Sequence, residues 1–310
     1  MIRSAPDLLD KEEFKALTAS SDTKAFRDLC IRTLLSLLLI VGFIEGYSIH
    51  PIIGVICWYL YSVQLHFWGY AGLGHEVFHR KVFSNKKLNQ WLFYWCSAIT
   101  WNNSRFFAKS HLYHHSNTFE DDDFEATSET SWRLFDILLY LLIDVRGMVR
   151  RIRYTLLNAA GYYPDGTLIK DKEITHSAHR TLALNLLILI VVYGITQSVL
   201  LTLAMGLAPF TGSLLNKVLA KSQHHGLASE SENGPLYHSR TIPLPKFLSF
   251  LYANMNYHAE HHLVPSVPYY NLPDLHMALH QQGAIQTISL HEFLRNWVSG
   301  KYEGQEAKDL

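Results

Sequence analysis

Histidines recur in this sequence at spacings that place their imidazoles on one face of a helix. The stretch GHEVFH carries His75 and His79 at i and i+4. The stretch SHLYHH carries three histidines at i, i+3 and i+4, which are His111, His114 and His115. Residues at these spacings are neighbours on a helix surface, about 5–6 Å apart at their Cβ atoms. Each stretch is therefore predicted to present its imidazoles as one set.

The same pattern returns in the last third of the chain. The stretch NYHAEHH repeats the i, i+3, i+4 spacing with His258, His261 and His262, and SQHHG supplies His224 and His225. Imidazole is a good ligand for zinc, copper, iron and nickel. Eight or more imidazoles exceed what one metal ion can bind, so the sequence predicts a site for two metal ions.

Chance occurrence of these motifs is the alternative explanation for the pattern. One HxxxH on its own is weak evidence, because short motifs match by chance. Two HxxHH groups and one HxxxH in a single chain favour a metal site instead. Seven other histidines are expected to be hydrogen-bonded structural residues, and these are His50, His66, His176, His179, His276, His280 and His291. The roles of His225 and His238 stay open.

Carboxylates accompany the histidine groups. The acidic run Glu120–Asp123, followed by Glu125, is expected to be a solvated loop and not a set of metal ligands. It can still accept the second N–H of imidazoles in the His115 region, because ligating imidazoles commonly donate that N–H to a carboxylate. Glu76 and Glu260 lie inside the histidine groups and are candidates for the same role.

The composition indicates that the histidine groups belong to a membrane protein. Of 310 residues, 48% are hydrophobic and 17% are charged, and the formal net charge is zero. Soluble proteins carry about 25% charged residues. No basic excess is present, which excludes the electrostatic pattern of a nucleic-acid binder. The three cysteines, Cys30, Cys57 and Cys96, are expected to be reduced. The polar first 30 residues lack the apolar core of a cleavable secretory signal.

Four apolar segments are predicted to span a membrane as two helical hairpins. The first hairpin joins residues 33–49 to residues 52–73, with its turn at His50–Pro51. The second occupies residues 181–220, about twice the length of one span, with its turn at 194–198. One crossing takes about 20 apolar residues.

Two features modify this helical plan. Gly206 and Pro209 interrupt the fourth span, which membrane helices tolerate when neighbours satisfy the freed backbone groups. The shorter apolar stretches Leu88–Trp101 and Leu134–Ile143 are expected to lie at the membrane interface or against other helices.

Lysine and arginine are absent from the two hairpin turns, so the positive-inside rule places both tails and all the histidine groups in the cytoplasm.

The three motifs HEVFH, HLYHH and HAEHH, in this order, resemble the histidine boxes of the membrane fatty acid desaturase superfamily. The segment after the last motif, with Pro265–Pro268 and Leu272–His276, is similar to the C-terminal signature of bacterial acyl-lipid desaturases. On this resemblance, residues 1–30 form a cytosolic N-terminal segment, residues 31–280 the membrane and catalytic domain, and residues 281–310 a cytosolic tail.

The resemblance implies a ligand set and a fold. Two iron ions would bind nine histidines, namely His75, His79, His111, His114, His115, His224, His258, His261 and His262. Members use one extra histidine before the third box, often in a Glu-His-x-Gly context, which favours His224. Gln223 replaces the usual acid and puts the hydrogen bonding of His224 in question. The implied fold is all-α, with four membrane helices and a cytosolic helical cap that holds the metal pair.

The expected activity is oxygen-dependent desaturation of a fatty acyl or other lipid chain in the bacterial inner membrane. Hydroxylase, carotenoid ketolase and fatty acid decarboxylase activities on the same scaffold stay open. A separate electron donor, a ferredoxin or similar protein with its reductase, is expected.

The alternative from another class of protein is a histidine-rich metal transporter, but transporters bind their metal ions near the bilayer midplane. Seven aromatic residues could line a substrate tunnel or form an interfacial belt, and these are Trp58, Phe67, Trp68, Trp91, Phe93, Trp95 and Trp101.

Overall fold

The computed structural model describes residues 8–120, 123, 125, 132–163, 171–227, 238–281, 285 and 287–301. Over these ranges the chain is helical, and extended pairing is limited to isolated bridges, such as the one between Ile143 and Thr211. The predicted all-α class is therefore confirmed for the described part of the chain.

The first hairpin follows a short N-terminal helix. Helix α1 is Lys11–Leu17, α2 is Asp22–Ile49 and α3 is Pro51–His66. His50 ends α2 and caps α3, because its Nδ1 accepts the Ile52 N–H at 3.2 Å. Pro51 takes the first position of α3, where a missing N–H costs nothing. The turn lies where the sequence predicted it.

The second hairpin contains α9, Lys172–Thr196, and α10, Val199–Leu207. Gln197 adopts the left-handed conformation that ends α9, with φ of 49°, and the Ser198 hydroxyl caps α10. This turn also falls within the predicted residues. The two hairpins contact one another through a core of Phe43, Val192, Leu201 and Met205.

The predicted fourth span is not one continuous helix. A 3-10 turn at Ala208–Phe210 and the left-handed Gly212 separate α10 from α11, Leu214–His224. Pro209 cannot continue an α-helix, because it lacks the N–H that a helix interior needs. The freed groups find partners in another segment: Phe210 O accepts the Asp144 N–H at 2.8 Å, and the Gly212 N–H donates to Leu142 O at 2.9 Å.

Two helical segments are long and apolar enough to cross a membrane, Lys11–Ile49 and Lys172–Thr196. Their hairpin partners are shorter, since α3 has 16 residues and α10 has nine. Helix α3 ends at His66, earlier than the predicted Leu73, because residues 67–72 form turns that lead into the first histidine group. The architecture of four membrane spans therefore stays a prediction.

The remaining helices gather at one end of the hairpins. In chain order they are α4 Leu73–Phe78, α5 Lys86–Ile99, α6 Ser104–Ser116, α7 Leu134–Leu141, α8 Val145–Ala159, α12 Lys246–Leu251, α13 His258–Leu263, α14 Leu272–Gln281 and α15 Leu290–Val298. The main core runs through this end and includes the fully buried Val77, Leu272, Leu275 and Leu279. Helices α5 and α7 occupy the two stretches predicted to lie at the interface, and α7 buries none of its residues.

Candidate metal centre

Short helix segments carry the nine predicted histidines. His75 lies in α4 and His79 ends it, while His111, His114 and His115 occupy the last turns of α6. The Asn103 side chain caps the start of α6 by accepting the N–H groups of Arg105 and Phe106. His224 is the last residue of α11, and the remaining three lie in α13. Eight of the nine therefore lie within helices, and His79 is the cap residue that follows α4.

Within the described residues, these nine side chains form two groups. The ligand atoms of each group lie within 4.8 Å of one another. The five-histidine group is His75, His79, His111, His115 and His261, and the four-histidine group is His114, His224, His258 and His262. The second and third boxes each contribute to both groups, so the two groups are neighbours.

The five-histidine group converges through Nε2 atoms. The Nε2 of His111 lies 3.2 Å from that of His79 and 3.0 Å from that of His115. The Nε2 of His261 lies 3.2 Å from that of His115. His75 completes the group with a buried Nε2 that has no hydrogen-bond partner among the residues that the structure describes. The ring of His75 packs 4.2 Å from that of His111 and 4.5 Å from that of His261, between ring centroids.

The four-histidine group also converges through Nε2 atoms. The Nε2 of His258 lies 2.9 Å from that of His224 and 3.1 Å from that of His262. The Nε2 of His262 lies 3.2 Å from that of His114. Metal–nitrogen bonds of about 2.0–2.1 Å place adjacent nitrogens about 3 Å apart when they meet at right angles around the ion. The observed separations match that spacing.

Outer hydrogen bonds fix the orientation of three of these rings. His114 Nδ1 lies 2.9 Å from Asp123 Oδ2, and His111 Nδ1 lies 2.9 Å from Glu125 Oε2. His224 Nδ1 lies 2.7 Å from the backbone oxygen of His238. Because these partners are acceptors, the Nδ1 atoms donate to them and each neutral ring keeps a bare lone pair on Nε2.

The bare lone pairs explain why the groups suit a cation. In the four-histidine group, His114 and His224 both have Nε2 as an acceptor, so the four converging nitrogens have too few protons to pair with one another. A metal ion accepts all of these lone pairs at once, and the imidazole set suits iron, zinc or copper. The residues present therefore fit a metal ion in each group.

Burial keeps the imidazoles in the neutral form that binds metal. Burial is the main cause that lowers the pKa of His75, His111, His258, His261 and His262 well below the ordinary value, with repulsion from neighbouring imidazoles adding to it. The same cause lowers the pKa of His79 to about 4 and that of His115 to about 3. Metal ligation requires deprotonated nitrogen, so these side chains are ready to bind at neutral pH.

Comparison with known families decides the class of protein. Residues 49–293 match the sequence model of the family described as fatty acid desaturase, and this range contains all nine histidines. The chain belongs to this family. A comparison with curated proteins finds no match. Membership of the fatty acid desaturase family implies an oxidoreductase that acts on a lipid or acyl substrate.

Carboxylates in this desaturase-family chain contact the groups in ways the sequence only partly indicated. Asp123 and Glu125, from the acidic run, contact His114 and His111 rather than His115. Glu76 Oε1 lies 3.4 Å from the Nδ1 of His75 and 3.2 Å from that of His261, so one carboxylate contacts two boxes.

Glu260 has a different role from the one its position suggested. Its carboxylate accepts the Thr241 hydroxyl and lies against His276 Nδ1. It therefore joins α13 to α14 and does not reach a box imidazole in these contacts. His276, expected to be a structural residue, is the partner that orients this carboxylate.

Gln223 also departs from the expected arrangement. Its amide donates to the Tyr252 hydroxyl and to Met255 O, each at 2.9 Å. The backbone oxygen of His238 orients His224 instead, which no sequence pattern could have indicated because a backbone carbonyl leaves no residue signature. His225 is buried but belongs to neither group, and its backbone oxygen accepts Arg240 Nη2 at 2.8 Å.

Several other histidines have structural partners, as expected. His66 Nε2 lies 2.8 Å from Thr211 O, and His179 Nε2 lies 2.9 Å from Ala159 O. His50 caps α3, and His176 lies 3.3 Å from Glu173 on the surface of α9.

The seven aromatic residues near the first two boxes divide between interior and surface. Phe67, Trp68 and Phe93 are buried, whereas Trp91 is 72% exposed and Trp95 is 46% exposed. A tunnel wall must face the interior, so the two exposed tryptophans suit an interfacial position instead.

Proposed function

We propose that this chain is a membrane-bound oxidoreductase that uses two histidine-bound iron ions and molecular oxygen to desaturate a fatty acyl chain. The observation that carries the proposal is the convergence of nine imidazoles, seven buried and two half-buried, into groups of five and four, within a chain of the fatty acid desaturase family. Each group would hold one iron ion through its Nε2 atoms.

Bound iron would supply oxygen activation and the power to take hydrogen from an unactivated C–H bond. The chain's own residues have a different task. Asp123, Glu125 and the backbone of His238 hold three imidazoles in the tautomer that leaves Nε2 free. Such outer contacts orient the ligands and raise their basicity.

Aromatic packing covers the His111 side of the five-histidine group. Phe107 stacks on His111 with ring centroids 4.8 Å apart, and Tyr70 stacks on Phe107 at 3.7 Å. Phe78 approaches His111 at 5.6 Å between centroids. A hydrocarbon chain can be accommodated beside such apolar rings, and dry surroundings protect reactive species from side reactions.

Exposed apolar faces on both hairpins support a membrane location. Helix α2 exposes Leu34, Leu37, Leu38 and Val41, each by more than half. Helices α3, α9 and α10 expose similar faces, which include Ile52, Val55, Ile56, Leu186, Leu187, Ile190, Val199, Leu200 and Leu203. A soluble protein rarely exposes so large a contiguous apolar surface, whereas lipid tails would cover it. The charge pattern of the turns supports a metal centre on the cytoplasmic side.

Metal transport is the less favourable proposal. Both groups lie in helices at the ends of the hairpins, while transporters place their ligands at the bilayer midplane. The reduction that oxygen activation requires would come from a separate protein, a ferredoxin or a similar carrier with its reductase.

Product masses test the proposed reaction. Purified iron-loaded protein would be supplied with a ferredoxin, its reductase, NADPH, oxygen and a panel of fatty acyl lipids. Desaturation predicts products lighter by two hydrogens. Gain of one oxygen would show a hydroxylase, loss of the carboxyl carbon a decarboxylase, and a new ketone on a carotenoid a ketolase. No iron-dependent product on any lipid would contradict an oxidative role.

A further inference from the structure

Two neighbouring cavities open beside His79 of the five-histidine group. The first, of about 460 Å³, is lined mainly by apolar residues, Phe14, Leu263, Val264 and Pro265. The second, of about 350 Å³, is lined by Arg80, Lys81, Lys86, Ser20 and Ser84 among others. His79 and Lys81 line both cavities. We name the pair the His79 cleft, with an apolar arm and a basic arm.

The N-terminal segment forms part of both walls, although it precedes the residues that match the family. Phe14 of α1 lines the apolar arm, and Ser20 lines the basic arm. Asn271 Nδ2 donates to Leu17 O at 2.9 Å, and the Ser20 hydroxyl donates to Lys81 O at 2.6 Å. These bonds hold the segment against the cleft, so its residues are part of a defined wall.

The basic arm carries positive charge for which the described residues supply no ion-pair partner. Arg80, Lys81 and Lys86 are exposed, and among the described residues none of them lies within ion-pair distance of a carboxylate. Among the described residues, Asp22 contacts the arm by accepting the Ser84 N–H at 2.8 Å. Arg80 has a left-handed backbone with φ of 57°, an uncommon conformation for a residue other than glycine.

We propose that the His79 cleft binds a single-chain amphiphile by its anionic head. The head lies in the basic arm, and the first carbons of the chain lie along the apolar arm beside Phe14. Opposite charges attract strongly in a cleft with low-dielectric walls, while the apolar arm gains from the burial of hydrocarbon. Because His79 lies between the arms, the carbons next to the head would be the ones nearest the five-histidine group. That consequence rests on the proposed function, whereas the binding does not.

Binding without turnover tests the cleft directly. The iron-loaded, full-length protein in detergent would be kept free of oxygen and reductant, and radiolabelled tetradecanoate would be bound at equilibrium. Tetradecanol has the same chain length but no charge, and it is the matched control ligand. Lys81→Gln and Lys86→Gln should each weaken tetradecanoate binding about tenfold, the worth of one charge-assisted hydrogen bond, and leave tetradecanol binding unchanged.

Matched variants make the result specific. Lys87→Gln removes an exposed charge next to Lys86 that lines neither arm, and it should leave both affinities unchanged. Phe14→Ala should weaken both ligands alike, because it shortens the apolar arm. Tetradecyl phosphate distinguishes a phosphate head from a carboxylate head: the better ligand of the two identifies the natural head chemistry.

The inference is overturned if the Lys81 and Lys86 variants bind tetradecanoate like the unaltered protein, or if they lose the acid and the alcohol equally. Failure of the proposed function would look different. In that case charge-dependent binding would persist, while the product analysis with ferredoxin and oxygen would show no oxidised lipid.

Discussion

Single hydrogen bonds orient individual imidazole rings toward the metal groups, and the bond between Asp123 and His114 is one of them. Asp123 is 1% exposed, and its carboxylate bonds to His114 Nδ1 while accepting the N–H groups of Phe119 and Glu125. The Asp123 carboxylate therefore links His114 to the backbone of Phe119 and Glu125. Removing its charge should therefore weaken metal binding as well as the stability of the fold.

Asp123→Asn should lower iron affinity in the four-histidine group by about 10–100-fold, the usual effect of losing a carboxylate behind a ligating histidine. The asparagine keeps the shape of the side chain but loses the negative charge. Iron per chain, measured by mass spectrometry after dialysis against a weak chelator, reports the change. Glu120→Gln is the control, because this exposed acid of the same run contacts no imidazole among the described residues. Equal iron retention in both variants would refute the role of Asp123.

The neighbours His224 and His225 give a second comparison at this scale. His224→Gln should lose the iron of the four-histidine group and abolish turnover, because its Nε2 lies 2.9 Å from that of His258. His225→Gln should keep both irons, since its ring packs near Phe293 and Trp297 and joins neither group. Iron content and oxygen consumption distinguish the two variants. The opposite pattern would show that the extra ligand is His225.

The spacing of histidines indicated eight of the nine side chains and the family resemblance indicated His224, but neither predicted their division into groups. An i, i+3, i+4 triplet defines one helical face, whereas His111 and His115 join one group and His114 the other. That division depends on where α4, α11 and α13 lie, which spacing within α6 cannot indicate. The partners Asp123, Glu125 and His238 come from irregular segments, where no periodicity specifies a contact.

At the scale of elements, the first hairpin depends on close backbone approach. A Cβ added at Gly54 would lie 2.7–2.9 Å from the Cβ, Cα and N atoms of Tyr47. Because two of these atoms belong to the backbone, α2 and α3 would have to move apart. Gly194 offers a contrast near the end of α9, since a Cβ there meets nothing within 4 Å.

Gly54→Ala should destabilise the protein by about 1–3 kcal/mol, the usual cost of overpacking. Gly194→Ala, which also places alanine in a helix, should be neutral or slightly stabilising. Thermal unfolding in detergent measures both. Equal melting temperatures for the two variants would show that α2 and α3 are not tightly packed at Gly54.

The break after α10 shows where sequence periodicity was insufficient. Gly206 and Pro209 were visible signals, yet apolar residues continue on both sides and favoured a single span. The break is stabilised by the backbone of Leu142 and Asp144, about 70 residues away in the chain, because freed backbone groups need hydrogen-bond partners. Tertiary partners of this kind follow from the fold and not from local composition.

At the scale of the whole molecule, the orientation in the membrane is open to a direct test. In a variant with Cys30, Cys57 and Cys96 replaced by alanine, Gln197→Cys should react with a membrane-impermeant maleimide added outside intact cells. Lys301→Cys, in the C-terminal segment, should react only after the membrane is permeabilised. The expected difference follows from hairpin turns that lack lysine and arginine.

The reverse labelling pattern would place the metal centre on the outer side and contradict the proposed topology. Labelling of both positions in intact cells would indicate that the hairpins do not span the membrane. Either result leaves the family assignment intact, because that assignment rests on the sequence match and not on orientation.

Metal content tests the central claim most directly. Purified protein, loaded with ferrous iron and dialysed, should hold about two irons per chain. His261→Ala, in the five-histidine group, and His258→Ala, in the four-histidine group, should each hold about one, with normal membrane insertion and no turnover. Protein that holds only zinc, and whose oxygen consumption iron does not restore, would contradict a paired iron centre built from nine histidines.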